Sequence, residues 1–301
     1  MADPYPRPPA APPLAVAPDG GTPPDAEQLA QRLAVGLPAA GVVLAAAARA
    51  SLATQLAQAQ EQLQARRQHL ATSQYWSPSD ILGWLVAARD AGEADEALWR
   101  GFLAAHFGRT SADDTRPAQV ASAGQLLCGW GSTPVWTWQR ITADFAAGAT
   151  WLQDHAGELA TLQFGRHRHY ESSRPAALAR LLANFVTWVE WAGGTPVQAF
   201  ATPGRDSPAA RFDVLYQRLS GLARFGRTGR YDLLCLLGDA GLLPISPGSC
   251  YLAGSTGPVR GAQHLWGRLA PEVLNQQADQ LARDLGLPIQ VVEDALDHWP
   301  A

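Results

Sequence analysis

Three stretches of the chain concentrate side chains that can do chemistry. The first is FGRHRHYESSR, Phe164 to Arg174, which sets Arg166, His167, Arg168 and His169 beside Tyr170 and Glu171. Nothing apolar drives burial of such a cluster. A surface loop that grips phosphate accounts for it, because guanidinium forks match phosphate oxygens, and His167 or Glu171 can move protons. A solvated turn is the plain alternative. The second stretch places Arg205, Arg211, Arg218, Arg224, Arg227 and Arg230 against only Asp206 and Asp213. Its centre, YQRLSGLARFGRTGRYDLLCLLG, reads as a helix ending near Leu219, a hairpin through Gly221 and Gly226, and a new helix near Thr228. That is helix–hairpin–helix in outline, a shape whose backbone N–H groups and helix N-terminus bind DNA phosphates without reading sequence. Helix–Gly–helix is also an ordinary turn.

Asp232 follows within the first turn or so of that second helix. A carboxylate there is favoured by the helix dipole and needs no function. Facing a pocket, it would instead stabilise positive charge developing on a sugar ring. The third stretch, LLPISPGSCYLAGSTGPVRGAQHLWG from Leu242 to Gly267, is broken repeatedly by Gly and Pro yet holds Tyr251, Thr256 and His264. A long irregular segment in a helical domain is usually functional, although it can also be a cover on the core.

Composition narrows what these residues can do. The 301 residues carry a net charge of −4 and are 47% hydrophobic and 17% charged, so a sizeable core forms and any DNA contact comes from a local basic patch. All basic residues are arginine; with no lysine there is no side-chain amine for a Schiff base or for pyridoxal phosphate. Cys128, Cys235 and Cys250 are far apart, which fits a reducing compartment, gives no disulfide framework and excludes a four-cysteine cluster. The histidines have no carboxylate or thiol set at ligand spacing, so no metal and no cofactor are expected. The N-terminus lacks a signal-peptide pattern and Leu37 to Ala48 is too short to span a bilayer; a cytoplasmic location without membrane contact is the expectation.

The elements that must position these residues read as helices throughout. Residues 1–25 form a Pro/Ala-rich tail expected to be disordered. Segment 26–72 is helical from Asp25, breaks near Gly36-Leu37-Pro38 and resumes to about Ala71. Its second half carries leucines at 52, 56, 63 and 70 on one stripe, which packs on the main domain or pairs with another copy through residues 50–71. A glycosylase-like catalytic domain is expected over 73–270 and a C-terminal helical segment over 271–301. Within them helices read at about 78–91, 95–107, 117–129, 134–155, 175–192, 208–220, 228–239 and 271–284. The pattern is all-α. The 11 tryptophans are core-filling rings, some of which could line a cleft where a base stacks.

Four segments in this order, EALWRGFLAAHFG, FGRHRHYESS, FDVLYQRL…FGRTGRYDLLCLLG and PGSCYLAGSTGPVRGAQHLWG, resemble the alpha-glutamyl/putrescinyl thymine pyrophosphorylases, their third clade in particular. The resemblance covers roughly residues 75–267. It implies a fold related to helix–hairpin–helix DNA glycosylases. It also implies action on hypermodified thymines of phage DNA, where a pyrophosphorylated hydroxymethyluracil loses pyrophosphate to an amine such as putrescine or glutamate. Bacterial members are associated with modified phage bases, base excision in defence being one reading.

Ordinary glycosylases of this fold carry an aspartate downstream of the hairpin glycine; the corresponding place here is Ser246. With no lysine to form a Schiff base, the expectation is a monofunctional N-glycosylase on modified pyrimidines that leaves an abasic site. Asp232 is its first catalytic candidate, with His167 and Glu171 next. Arg166, Arg168, Arg224, Arg227, Arg230 and Gly226 would hold the DNA backbone, and Tyr170, Tyr231, Tyr251 and Thr256 would form the pocket for a flipped base. The amine transferase and a non-catalytic reader of modified DNA are the alternatives.

Overall fold

The computed structural model describes residues 24–39, 41–71, 81–107, 135–160, 174–223 and 225–299. Among them lie fourteen α-helices and no strand. In chain order these are α1 (Ala26–Ala39), α2 (Ala46–Ala71), α3 (Ile81–Asp90), α4 (Ala94–Phe107), α5 (Trp138–Ala143), α6 (Phe145–Asp154) and α7 (Ala156–Leu159). They continue with α8 (Pro175–Ala192), α9 (Pro196–Ala199), α10 (Pro208–Arg218), α11 (Arg227–Asp239), α12 (Gly257–Trp266), α13 (Pro271–Leu285) and α14 (Ile289–His298). The tail before residue 24 and the helix expected at 117–129 lie outside the described residues.

The chain divides into two compact units. One holds residues 69–207 and 214–245, the other residues 24–68, 208–213 and 246–299; the division falls inside α10. In the first unit α4 is the axis, packing against α3, α5, α9 and α11. Ten consecutive residues, Ala97 to His106, are buried, Arg100 and His106 among them. Trp99, Phe102 and Phe185 form an aromatic stack, the two phenylalanine rings 3.9 Å apart and nearly parallel. Gly101 allows α11 to close on α4, since a Cβ there would lie 2.7 Å from Leu237.

The expected helix at 134–155 is two helices. Thr137 caps α5, its hydroxyl accepting from the Arg140 N–H, and Asp144 ends α5 and caps α6 by accepting from the Ala147 N–H at 2.9 Å. A short polar side chain that satisfies backbone donors offers the chain a place to break. Asp144→Ala is expected to cost about 1 kcal/mol, a fall in Tm of roughly 2–4 °C on thermal unfolding. An unchanged Tm would mean that the cap contributes nothing.

In the second unit, residues far apart in sequence share one core: Leu29 and Leu33 of α1, Leu52, Leu56 and Leu63 of α2, Leu274 and Leu281 of α13, Val292 and Leu296 of α14. Asp25 and Gln28 cap α1 reciprocally, side chain to backbone N–H, as in a capping box. The leucine stripe of α2 is buried inside its own chain, so it offers no apolar face for a second copy, and the expected self-association through residues 50–71 has no support. Residues before 73 and after 270 both contribute to this core.

Candidate functional site

After α10 the chain makes one 3-10 turn, Leu219–Gly221, and reaches Gly226, the N-cap of α11. Gly226 is exposed, with φ −67° and open space where a Cβ would go, so its conformation is one any residue adopts. The turn therefore depends on no glycine-specific geometry at 226.

The arginines around it are folded onto the protein. Arg218 donates from Nη1 to the carbonyls of Ala199 at 2.6 Å and Ala201 at 3.0 Å. Arg227 is 6% exposed, its guanidinium 4.5 Å from the centre of the Tyr231 ring one turn along α11. Arg230 lies 4.3 Å from the Tyr216 ring and donates to the Tyr216 carbonyl at 3.2 Å. The second of these cation–π contacts ties α11 to α10, while the first lies within α11. Tyr231 is buried, and Asp232 is exposed on the second turn of α11 rather than the first. The influence of the dipole fades beyond the first turn, so the helix N-terminus gives no reason for a carboxylate at 232. Arg166, His167, Arg168, Tyr170, Glu171 and Arg224 lie outside the described residues.

The Leu242–Gly267 stretch holds more structure than its composition suggests. Its end is α12, with Pro258 accommodated in the first turn. Thr256 is exposed at the N-cap of α12. Before it, Cys250 and Leu252 are fully buried, and Tyr251 between them takes φ +50°, the one positive φ outside glycine among the described residues. A bulky residue there is strained by about 1–3 kcal/mol and persists only where its surroundings enforce it.

Two side chains of α13 do the enforcing. The Asp279 carboxylate accepts from the Cys250 N–H at 2.9 Å, and the Asn275 carbonyl accepts from the Leu252 N–H at 3.1 Å. Asn275 also donates to the Ser249 hydroxyl and, at 3.3 Å, to Asp279. Held this way, Tyr251 tilts over Phe212 with ring centres 5.3 Å apart and donates its phenolic proton to the carboxylate of Asp213. Tyr251 is half-buried and Asp213 exposed. In the sequence Asp213 stands only as a charge offsetting arginines, and Ser249, Asn275 and Asp279 carry no signal beyond the i, i+4 spacing of the last two.

Among the described residues no group of His, Cys, Asp and Glu could hold a metal ion, and no helix is long and apolar enough to cross a membrane. Fold and site define an all-helical protein with a strained tyrosine clamped against a carboxylate. The chain belongs to the alpha-glutamyl/putrescinyl thymine pyrophosphorylase family, clade 3, whose family model matches residues 42–301. The match takes in α2 and the C-terminal helices, both outside the segments in which the resemblance was legible. No curated protein and no solved structure matches the chain.

Proposed function

We propose that this protein transfers an amine onto a pyrophosphorylated hydroxymethyl pyrimidine in DNA. The family match over residues 42–301 carries this reading. The family's name joins glutamyl and putrescinyl thymines to a pyrophosphorylase activity, which fits substitution at a thymine better than removal of one. In the step, the bond from the exocyclic methylene carbon to the pyrophosphate oxygen breaks, its electron pair leaving with pyrophosphate. A bond from the amine nitrogen to that carbon forms, and the nitrogen gives up a proton. With no lysine in the chain, no side-chain amine competes for the electrophile, so the nucleophile is the donor's own.

Asp232 is the first candidate to act on the pyrimidine. Its exposed carboxylate would stabilise positive charge growing on the methylene and ring as pyrophosphate departs. His167 and Glu171 are the next candidates, as proton carriers. The N–H groups at the start of α11, with Arg166, Arg168 and Arg224, would hold the backbone of a strand whose base is turned out. Arg227 and Arg230 support this face through Tyr231 and Tyr216.

The test incubates the protein with DNA carrying the pyrophosphorylated base, with and without putrescine or glutamate. Pyrophosphate is followed in solution, and nucleosides and free bases by mass spectrometry. Amine-dependent pyrophosphate release with a heavier nucleoside is expected, and Asp232→Asn should slow it by roughly 100-fold or more while thermal unfolding is unchanged. A free base with abasic sites left in the strand would replace transfer with base excision, the order in which the sequence alone ranked them. Full turnover by the variant would remove Asp232 from the chemistry.

A further inference from the structure

We infer that the solvent-facing side of α8 takes up unpaired DNA, Trp191 stacking on a base and Arg180 gripping a phosphate. The inference rests on the reading that the substrate is DNA, and adds the form in which the strand is held.

Trp191 stands apart from the other rings. It is 80% exposed, whereas every other tryptophan among the described residues is buried or half-buried. An indole is a large apolar surface and is seldom left in water. Nothing in the described fold accounts for its place, since it touches no other ring there. The helix that carries it is nevertheless firmly held. One turn back, Trp188 is buried against Phe185 and Phe200, with ring centres 5.9 and 5.3 Å away. Its indole N–H donates to the Arg218 carbonyl at 3.3 Å, where the 3-10 turn leading toward α11 begins. Trp191 is therefore carried at the end of a fixed helix, close to the hairpin.

The rest of the helix face names the partner. Arg180, Thr187 and Trp191 fall within about 40° of one another around α8, and all three are exposed. Glu190, the acid nearest in sequence, lies about 100° away around the helix. Among the described residues Arg180 has no ion-pair or hydrogen-bond partner, whereas Arg218, Arg227 and Arg230 are committed to carbonyls and rings. A cation and a flat ring, about 16 Å apart along the axis with no acid between them on that face, match the two repeating groups of a DNA strand, phosphate and base. The other positions on the face are Ala176, Ala183 and Asn184, which supply no large apolar side chain around which a protein interface could form. In paired DNA both faces of each base are already stacked on neighbours. A ring offered at the protein surface finds a free π face only on a single strand or on a base turned out.

The test is fluorescence anisotropy of the full chain at low salt with a fluorescein-labelled DNA strand, alone and paired with its complement. Trp191→Ala should weaken single-strand binding by about tenfold and leave binding of the paired form unchanged. Trp191→Phe, which keeps a flat ring, should recover much of the loss, and Trp191→Leu, apolar but not flat, should not. Arg180→Gln should lower the salt slope of single-strand binding by about 0.7, one phosphate contact, while Trp191→Ala leaves the slope as it is. Thermal midpoints should stay native in all four variants, because both residues are exposed. No single-strand binding by the native chain, native-like binding by Trp191→Ala, an equal loss on single and paired DNA, full recovery with leucine, or an unchanged salt slope in Arg180→Gln would each overturn the inference. Binding that needs Trp191, in a protein that releases no pyrophosphate from the modified strand, would uphold this face and remove the proposed reaction. Amine-dependent release from a single strand, untouched by Trp191→Ala, would do the reverse.

Discussion

Gly261→Val is expected to destabilise the protein by about 3 kcal/mol or more, a substantial share of the stability of an ordinary domain. Gly261 sits where α12 crosses α14, and there is no room for a side chain: a Cβ at 261 would collide with the carbonyl oxygen of Leu296 and lie 2.6 Å from that of Trp299. These are backbone atoms at the end of α14, unable to rotate away, so the helices must separate. Separation opens the core that Ala262, Leu265, Val292 and Leu296 close. At Gly257, one turn earlier, a Cβ would meet the carboxylate of Asp297, a side chain that can move aside. A matched control is Gly36→Ala, a helical glycine in α1 with nothing within 4 Å of a Cβ, which should gain roughly 0.5–1 kcal/mol from helix propensity. Chemical denaturation of the three proteins gives the answer directly. A Gly261→Val protein as stable as the native one would mean that the two helices do not approach this closely.

That crossing also shows why the last irregular stretch was misjudged from sequence. Gly257-Pro258 and Gly261 read as breakers in a chain seen alone, whereas in the fold the proline occupies a first helical turn and the glycines are contact points. Helices with a plain apolar period and clear ends were legible: 175–192 is α8 as read, and 228–239 differs from α11 by one residue. What period and propensity do not carry is tertiary. Nothing in the α2 leucines says that their partners lie on α1, α13 and α14. Nothing in a run of arginines says that Arg227 and Arg230 would be drawn onto Tyr231 and Tyr216 while Arg218 caps distant carbonyls. Arginine suits both uses equally, because the guanidinium that grips phosphate also stacks on rings and bonds to carbonyl oxygens.

The site was legible in the same uneven way. Tyr251 could be named from its loop, since an aromatic ring in a Gly/Pro-broken segment is conspicuous. Its strained φ could not be, because it depends on burial of Cys250 and Leu252 and on acceptors more than twenty residues away, Asn275 and Asp279. Asp213 was hidden by context of another kind: in an arginine-rich helix it looks like a counter-ion, and only the fold pairs it with Tyr251.

Glu96→Ala is expected to cost about 3–5 kcal/mol, the loss that follows when one member of a buried ion pair is taken away. Glu96 and Arg100 lie one turn apart on α4 with side chains 11% and 9% exposed and bonded at 2.7 Å. The second carboxylate oxygen accepts from the Trp138 N–H at 2.7 Å, where α5 begins, while Arg100 donates to the Trp84 carbonyl and lies 5.3 Å from the Trp84 ring. One ion pair thus joins α3, α4 and α5, and the Trp99 indole donating to the Trp136 carbonyl reinforces it. Truncating Glu96 strands a buried guanidinium and a backbone donor together, and each carries its own desolvation cost. Glu96→Gln, which retains an acceptor for Trp138 but loses the charge, should cost less. Because the penalty comes from the stranded charge, a Glu96→Leu/Arg100→Met double variant should be more stable than Glu96→Ala, with denaturant midpoints as the readout. A double variant no better than the single one would place the cost in the Trp138 N–H instead. Glu96, Trp99 and Arg100 all lie in EALWRGFLAAHFG, one of the segments by which the family was legible. In this chain those three residues hold helices in place.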